Sequence, residues 1–334
     1  MRVMLPRFLE GMHVNCLVSE DTNAILRKFY LSNNKNTEGD TTMDDMMFTT
    51  KKKAIFSVVI YFLLFFGADS FNVLFWNLVF KYFFLSQSRY FLRSLCTVGE
   101  IAFTLLFFWL YTSKVLHLKM SFFRINKNIR LWGVLIAFIL PSYVVFSYYL
   151  YGKHESVLFS TTESVLMFIF SLITAFKAGI LEEMLFRGFI MKILETKWNK
   201  VVAVLAPSIL FSLCHIPSMS SFSVIGAILL LIGGMLVSVM FSMITYKGDS
   251  IANSAIIHAI WNLFIVTDVL EIATEQDRYG KTLFSIIIPE KNILMTGGEF
   301  GVEVSIIAII GYAVVCALIL WNKKKVQVSQ EGEI

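Results

Sequence analysis

The sequence predicts an all-α protein, a polytopic bundle of about eight transmembrane helices. Of its 334 residues, 57% are hydrophobic and only 16% are charged, whereas soluble domains average about 45–50% and about 25%. The mean hydropathy is +0.70. The apolar residues also form long runs, which short polar and basic segments separate. These observations predict an integral membrane protein.

Eight apolar runs are candidates for the spans, since a helix needs about 20 mainly apolar residues to cross a bilayer. They cover residues 54–75, 94–113, 131–150, 165–181, 201–214, 224–246, 251–270 and 304–321. The fourth run is expected to continue past Glu183 as one helix that reaches the interface near Lys192. In the fifth, Pro207 is expected to kink the helix and Pro217 to end it.

Basic residues predict the orientation, because cytoplasmic loops carry an excess of Lys and Arg. Lys51–Lys53 precede the first run and Lys323–Lys325 follow the last, which places both termini in the cytoplasm. The loops at 114–130 and 192–200 are also basic and fall on the same side of an eight-span bundle. The acidic loop between the seventh and eighth runs falls outside. The net charge of +5 therefore reflects orientation, and no nucleic-acid partner is expected.

The chain divides into three parts. Residues 1–53 form a polar cytoplasmic extension, of which 32–45 has the composition of a disordered linker. No cleaved signal peptide is expected there, because no apolar core follows a basic start. Residues 54–322 form the transmembrane bundle and residues 323–334 a cytoplasmic tail. The four cysteines are scattered without a CxxC pair, and we expect them to be reduced: Cys16, Cys96, Cys214 and Cys316.

Three charged residues interrupt the apolar run AFKAGILEEMLFRGFIM, namely Glu182, Glu183 and Arg187. A charge at the bilayer centre costs about 2.5–3.5 kcal/mol on insertion scales, so three together suggest a function. Glu183 and Arg187 are four residues apart and can pair on one helix face. Glu182 points about 100° away and stays free for proton transfer. The pair alone could be a structural brace, but a brace needs one glutamate rather than two.

Two further polar pairs have the same four-residue spacing in apolar surroundings. Phe211 and His215 lie in FSLCH, and His258 and Asn262 lie in HAIWN. A histidine at a broken helix end can face a water-filled cavity, and the second pair could form an oxyanion hole. Taken singly, each could instead be bonded to neighbouring helices. Their combination on three helices indicates a hydrolytic site.

These motifs resemble those of the CPBP family, which includes the CAAX prenyl endopeptidases and the bacterial Abi-type self-immunity proteins. In chain order they are Glu182-Glu183-x-x-x-Arg187, Phe211-x-x-x-His215 and His258-x-x-x-Asn262. The resemblance covers about residues 165–270, the expected core of the bundle. It implies an enzyme, an intramembrane endopeptidase.

The resemblance implies roles for the charged residues of the first motif and for the histidine of the second. Glu182 would polarise the attacking water as general base, and His215 would help to hold that water. Glu183 and Arg187 would pair and orient the site.

In the third motif, His258 and Asn262 would stabilise the tetrahedral oxyanion. Members of the family are commonly called metalloproteases, although a metal-free glutamate mechanism has also been argued. The resemblance therefore leaves zinc open as a cofactor, with His215, His258 and Glu182 as candidate ligands.

The expected partners are the lipid bilayer and a membrane peptide or protein, cleaved near the cytoplasmic side. The chain looks bacterial in style, so a bacterial cell membrane is expected. Bacteria generally lack prenylated CAAX proteins, so a leader peptide or a bacteriocin-related peptide is as good a candidate as a prenylated one. Two other functions stay open: a non-enzymatic immunity or binding protein, and a proton-coupled transporter. The sequence shows no evident inverted repeat, which speaks against the transporter.

Overall fold

The computed structural model describes residues 48, 50–83, 88–156, 160–275, 282–289 and 292–331, with backbone alone at 81–83, 156 and 322–331. Cys16, the linker at 32–45 and most of the N-terminal extension lie outside the described residues. The longer helices in chain order are α1 Lys51–Phe83, α2 Arg89–Leu110, α3 Leu131–Tyr149, α4 Thr161–Lys197, α5 Lys200–Cys214, α6 Val224–Gly248, α7 Ile251–Ile265 and α8 Ile306–Glu331. A four-residue helix, Ile293–Thr296, precedes α8. The strands are β1 Lys153–Ser156, β2 Leu270–Ala273 and β3 Phe284–Ile287.

The helical fold class is confirmed, and the number of spans is confirmed in part. Within the described part of the chain, six helices, α1 to α6, are long and apolar enough to cross a membrane, where α2 is continued by helical turns to Val115 and α5 to Ser218. The seventh and eighth predicted spans are also helical, but their apolar stretches are shorter, Ile251–Ile265 and Ile306–Trp321. Eight complete crossings are therefore not confirmed by length.

The predicted continuity of the fourth span is confirmed. α4 runs from Thr161 to Lys197 and contains a π-helical stretch, Met184–Ile190, at its middle. The predicted end of the fifth span is also correct, because α5 ends at Cys214 and a 3₁₀ turn, Ile216–Ser218, follows with Pro217 inside it. The imide nitrogen of proline cannot donate the helical hydrogen bond.

A small sheet was not predicted. Its strand order is β1-β3-β2, with Lys153 opposite Ile287 in the antiparallel pair and Leu270 beside Phe284 in the parallel pair. The predicted seventh span, 251–270, is consequently too long, since α7 ends at Ile265 and the chain turns into β2. The sheet joins the α3–α4 connection to the α7–α8 connection, so these two loops lie at one end of the bundle.

The opposite end is held by the basic loop that follows α2. Arg124 donates to Glu195 at 2.8 Å and to Asp249 at 3.1 Å, and its backbone oxygen accepts from the Ile251 nitrogen at 3.0 Å. The end of α4 and the α6–α7 turn therefore meet this loop. Both sets of contacts agree with helices that alternate in direction through the bundle.

Helix α6 is central and α2 is peripheral, since 44% of the apolar window of α6 is buried against 17% for α2. Close packing brings α4 onto α7. A Cβ atom at Gly179 would lie 2.6 Å from the backbone oxygen of Ala255 and 2.8 Å from the nitrogen of Ala259. Only a glycine permits this approach, which places the following turn of α4, with its two glutamates, beside His258.

Candidate active site

A buried network surrounds Glu183. Its Oε1 accepts hydrogen bonds from Arg187 Nη1 at 2.7 Å and from His258 Nδ1 at 3.1 Å. Arg187 Nη2 donates to the Ser238 hydroxyl at 2.8 Å and to the Ser238 backbone oxygen at 3.3 Å. Glu183, Arg187 and Ser238 are fully buried. The predicted pairing of Glu183 with Arg187 is present, and it also fixes His258, a link that the spacing in sequence does not reveal.

The Arg187 guanidinium lies between aromatic rings. Its central carbon is 4.8 Å from the Phe211 ring and 5.0 Å from the Phe241 ring. Phe241 also stacks on His258, with ring centroids 5.0 Å apart and planes at 20°. A cation over an aromatic face is attracted by the ring quadrupole. Phe211 of the second motif therefore packs over Arg187 of the first motif.

Glu182 faces the two histidines. Its Oε2 is 3.9 Å from Nε2 of His215 and 3.9 Å from Nε2 of His258. The Nδ1–H of His215 donates to the Phe211 backbone oxygen at 2.7 Å. Because Nδ1 of each ring is occupied, both Nε2 atoms are left facing Glu182. The Oε2 atom is buried and has no hydrogen-bond partner among the described residues.

Asn262 follows His258 by one turn of α7 and is partly buried. Glu182, His215, His258 and Asn262 all line one cavity of about 420 Å³. The structure therefore brings the chemical groups of the three motifs together, with Glu183 and Arg187 directly behind them.

Residues 163–264 match the family model of the Rce1-like type II CAAX prenyl endopeptidases. The matched segment contains all three motifs, so the resemblance to CAAX prenyl endopeptidases is confirmed. The match supports a CAAX-type intramembrane protease in general terms. No curated protein and no solved structure matches the chain.

The cavity of this protease-like core extends towards the sheet. Its lining includes Leu270 and Glu271 of β2 and Thr282 before β3. The charge pattern predicts that the sheet end is the outer one. The expected cleavage near the cytoplasmic side and the expected orientation of the termini both stay predictions.

The family raises the question of zinc, with Glu182, His215 and His258 as candidate ligands. The donor chemistry suits a metal, since both Nδ1 atoms are bonded to protein oxygens, as in zinc sites. The spacing does not, because two ligands of a tetrahedral zinc lie about 3.4 Å apart and both distances here are 3.9 Å. Within the described ranges, no three His, Cys, Asp or Glu side chains are grouped to hold a metal. The residues as placed do not fit zinc, whereas a water bridging Glu182 and either histidine fits this separation. Zinc binding stays an untested prediction.

Glu303 also lines the cavity and was missed from the sequence. It lies in a 3₁₀ turn, Val302–Val304, outside the matched segment, and its Oε2 accepts from Trp261 Nε1 at 3.3 Å. Burial raises the pKa of the Glu303 carboxyl above its ordinary value, which outweighs the lowering effects of His215, the Trp261 donor and His258. No signal in the sequence points to Glu303, because it is a single glutamate beside the last apolar run and belongs to no motif.

Proposed function

We propose that the chain is an intramembrane endopeptidase that hydrolyses peptide bonds of membrane-associated peptides, of the prenylated or the leader type. One observation carries the proposal. Glu182 Oε2 is buried in a cavity, lacks a hydrogen-bond partner among the described residues and lies 3.9 Å from two imidazole nitrogens. Leaving such an oxygen unsatisfied costs free energy, so the arrangement suits a site that binds water and substrate.

In the proposed reaction, Glu182 holds the attacking water and takes one of its protons as the water oxygen bonds to the carbonyl carbon of the substrate. His215 supports this water through Nε2, since its Nδ1 is held by the Phe211 backbone oxygen at 2.7 Å. The fixed ring places the nitrogen without further reorganisation.

The oxyanion of the tetrahedral intermediate would be stabilised by His258 and Asn262. The ring of His258 is oriented for this role by Glu183, whose Oε1 lies 3.1 Å from Nδ1 and leaves Nε2 facing the cavity. The carboxamide of Asn262 supplies the second donor from the next turn of α7.

The proposed location is a cell membrane, with both termini on the cytoplasmic side. The basic loop around Arg124 and the end of α4 then lie inside, and the sheet lies outside. Because the cavity extends to the sheet, the substrate is proposed to approach from that end. Labelling of single cysteines introduced at exposed positions Lys153 and Lys127 with an impermeant reagent on intact cells would test this orientation, with labelling expected at Lys153 alone.

The test of the function compares wild type with Glu182→Gln on a library of membrane peptides in liposomes. Glu195→Gln is the matched control, since Glu195 lies on the same helix but bonds Arg124 at the far end of α4, 2.8 Å away. We expect cleavage by wild type and by the control, and a loss of about 10²–10⁴-fold in Glu182→Gln. Each protein is also assayed with a zinc chelator, and retained activity is expected.

Activity lost to the chelator would replace this mechanism with a metal-dependent one. A well-folded wild type that binds peptides without cleaving them would instead favour an immunity or binding protein. Proton-coupled uptake into vesicles would favour a transporter.

A further inference from the structure

The connection that leads into α8 lines the cavity with residues 300–304. Residues 297–305 include Gly297, Gly298 and Gly301, whose φ angles of 72°, 63° and 109° are open to glycine and rarely to other residues. The same segment is tied to the α5–α6 connection, because the Glu299 backbone oxygen accepts from the Ser220 nitrogen at 2.9 Å. The segment is therefore held against the α5–α6 connection at Glu299.

This segment brings Glu303 to the chemical groups. Phe300 contacts His215, with ring centroids 6.1 Å apart, and Trp261 donates to Glu303 Oε2 from the turn of α7 that carries Asn262. Tyr312 of α8 donates to the Glu303 backbone oxygen at 2.9 Å. The turn that holds Glu303 is thus fixed from two helices, and its carboxyl group lines the same cavity as Glu182.

We propose that Glu303 is the general acid of the reaction, the group that protonates the leaving nitrogen. This inference rests on the proposed endopeptidase function and adds a residue that the three motifs do not contain. Peptide hydrolysis has two proton transfers, one from the water and one to the amine. Two carboxyl groups in different surroundings of one cavity can divide these tasks.

The proton that the attacking water loses and the proton that the leaving nitrogen gains pass through different carboxyl groups. The water oxygen bonds to the carbonyl carbon, and one water proton passes to Glu182. The carbon–nitrogen bond then breaks, and the nitrogen takes the proton of the Glu303 carboxyl. The products are a carboxylic acid and an amine, with Glu182 protonated and Glu303 ionised. The proton returns from Glu182 to Glu303 through cavity water as the products leave.

The surroundings of Glu303 keep it suited to this task. Burial raises its pKa above the ordinary value and favours the neutral form that a general acid needs. The titratable groups that face it are His215 at the end of α5, His258 on α7, Glu182 on α4 and Tyr312 on α8. Ionisation of Glu303 with rising pH then removes the acid and produces the alkaline limb of the rate profile.

The decisive experiment measures Glu303→Gln on two substrates, a membrane peptide and the matching activated ester. An ester with a phenolate leaving group needs no proton on departure. We expect kcat for the peptide to fall about 10²–10⁴-fold, with KM little changed, and the ester to be hydrolysed at close to the wild-type rate. Glu299→Gln is the matched control, since Glu299 lies on the same segment and bonds Ser223 at 2.8 Å; it should hydrolyse both substrates normally.

An equal loss on peptide and ester would overturn the proposal and leave Glu303 a structural residue. Glu182→Gln distinguishes this failure from a failure of the proposed function. If the proposed function is correct, this variant should hydrolyse neither the peptide nor the ester, whatever the role of Glu303. If Glu303→Gln does not fold, Trp261→Phe gives the second test. Removing the donor to the carboxylate raises the pKa of Glu303 further, so the alkaline limb should move to higher pH. An unmoved limb would contradict the proposal.

Discussion

Two arginines bind glutamates of the same helix, α4, in opposite surroundings. Arg187 and Glu183 have no exposed side-chain surface, and their nitrogen and oxygen are 2.7 Å apart. Arg124 bonds Glu195 at a nearly equal 2.8 Å, but about a sixth of each side chain is exposed and its second partner, Asp249, is 83% exposed. Two ion pairs with nearly equal nitrogen–oxygen distances therefore have different roles. The buried pair fixes chemical groups, whereas the partly exposed one fastens loops at the end of the bundle.

The largest difference between the two clusters is expected from removing each arginine. Arg187→Leu leaves the Glu183 carboxylate buried without its cation, and breaking a buried pair in this way destabilises by about 3–5 kcal/mol. Arg124→Leu should destabilise less, because its second partner, Asp249, is 83% exposed and stays hydrated without the arginine. Thermal unfolding in detergent measures both variants against wild type.

A double variant tests whether the unpaired Glu183 carboxylate causes the loss of stability in Arg187→Leu. Glu183→Gln combined with Arg187→Leu removes the unpaired charge and should recover part of the lost stability. Equal stability of the Arg187 and Arg124 single variants would show that burial does not separate the two clusters.

A smaller effect is expected from adding one methyl group beside the buried network. Gly179→Ala places a Cβ atom 2.6 Å from the Ala255 backbone oxygen, so α4 and α7 must move apart. Overpacking of this kind costs about 1–3 kcal/mol. A displacement of about 1 Å between catalytic groups can lower the rate about 10²-fold, and the Glu183–His258 contact lies one turn away. Peptide cleavage measures the loss.

Gly67→Ala is the control for this variant, because no atom lies within 4 Å of a Cβ at Gly67. It should retain full activity. If Gly179→Ala were equally active, the close approach of α4 to α7 would not be what positions His258.

The motif residues could be predicted from the sequence because each pair has helical spacing. Four-residue separation places Glu183 with Arg187 and His258 with Asn262 on shared faces, whatever the rest of the fold. The contact of Glu183 with His258 depends instead on Gly179, and no periodicity encodes which helices approach at a glycine. Helix α4 was predictable because its apolar run is long and the charged residues that interrupt it keep helical spacing.

The sheet and Glu303 depend on contacts between distant segments. β1 and β3 are separated by more than a hundred residues, and each strand has four residues, too few for a period to appear. Residues 265–270 are apolar enough to extend a predicted helix, but the nitrogens of Val266 and Thr267 both bond the Asn262 oxygen, and Leu270 begins the pairing of β2 with β3. Glu303 enters the site through the glycine-rich connection, whose course follows from φ angles that the sequence permits but does not specify.

The smallest effect is expected at the exposed edge of the Arg124 cluster. Asp249 caps α6 in the left-handed conformation, with φ 45° and ψ 38°, and asparagine adopts this conformation as readily as aspartate. Asp249→Asn therefore removes the charge without changing the backbone, and Arg124 keeps Glu195 as its ionic partner. The change in unfolding free energy should stay within about 0.5 kcal/mol and should shrink further in high salt. Asp249→Ala is the sharper probe, because its Cβ retains the strain while the polar side chain is lost, and it should cost about 1 kcal/mol. If Asp249→Asn lowered the unfolding free energy as much as Arg124→Leu, Asp249 rather than Glu195 would be the main partner of Arg124. Exposure would then not distinguish the Arg124 cluster from the buried Arg187 pair.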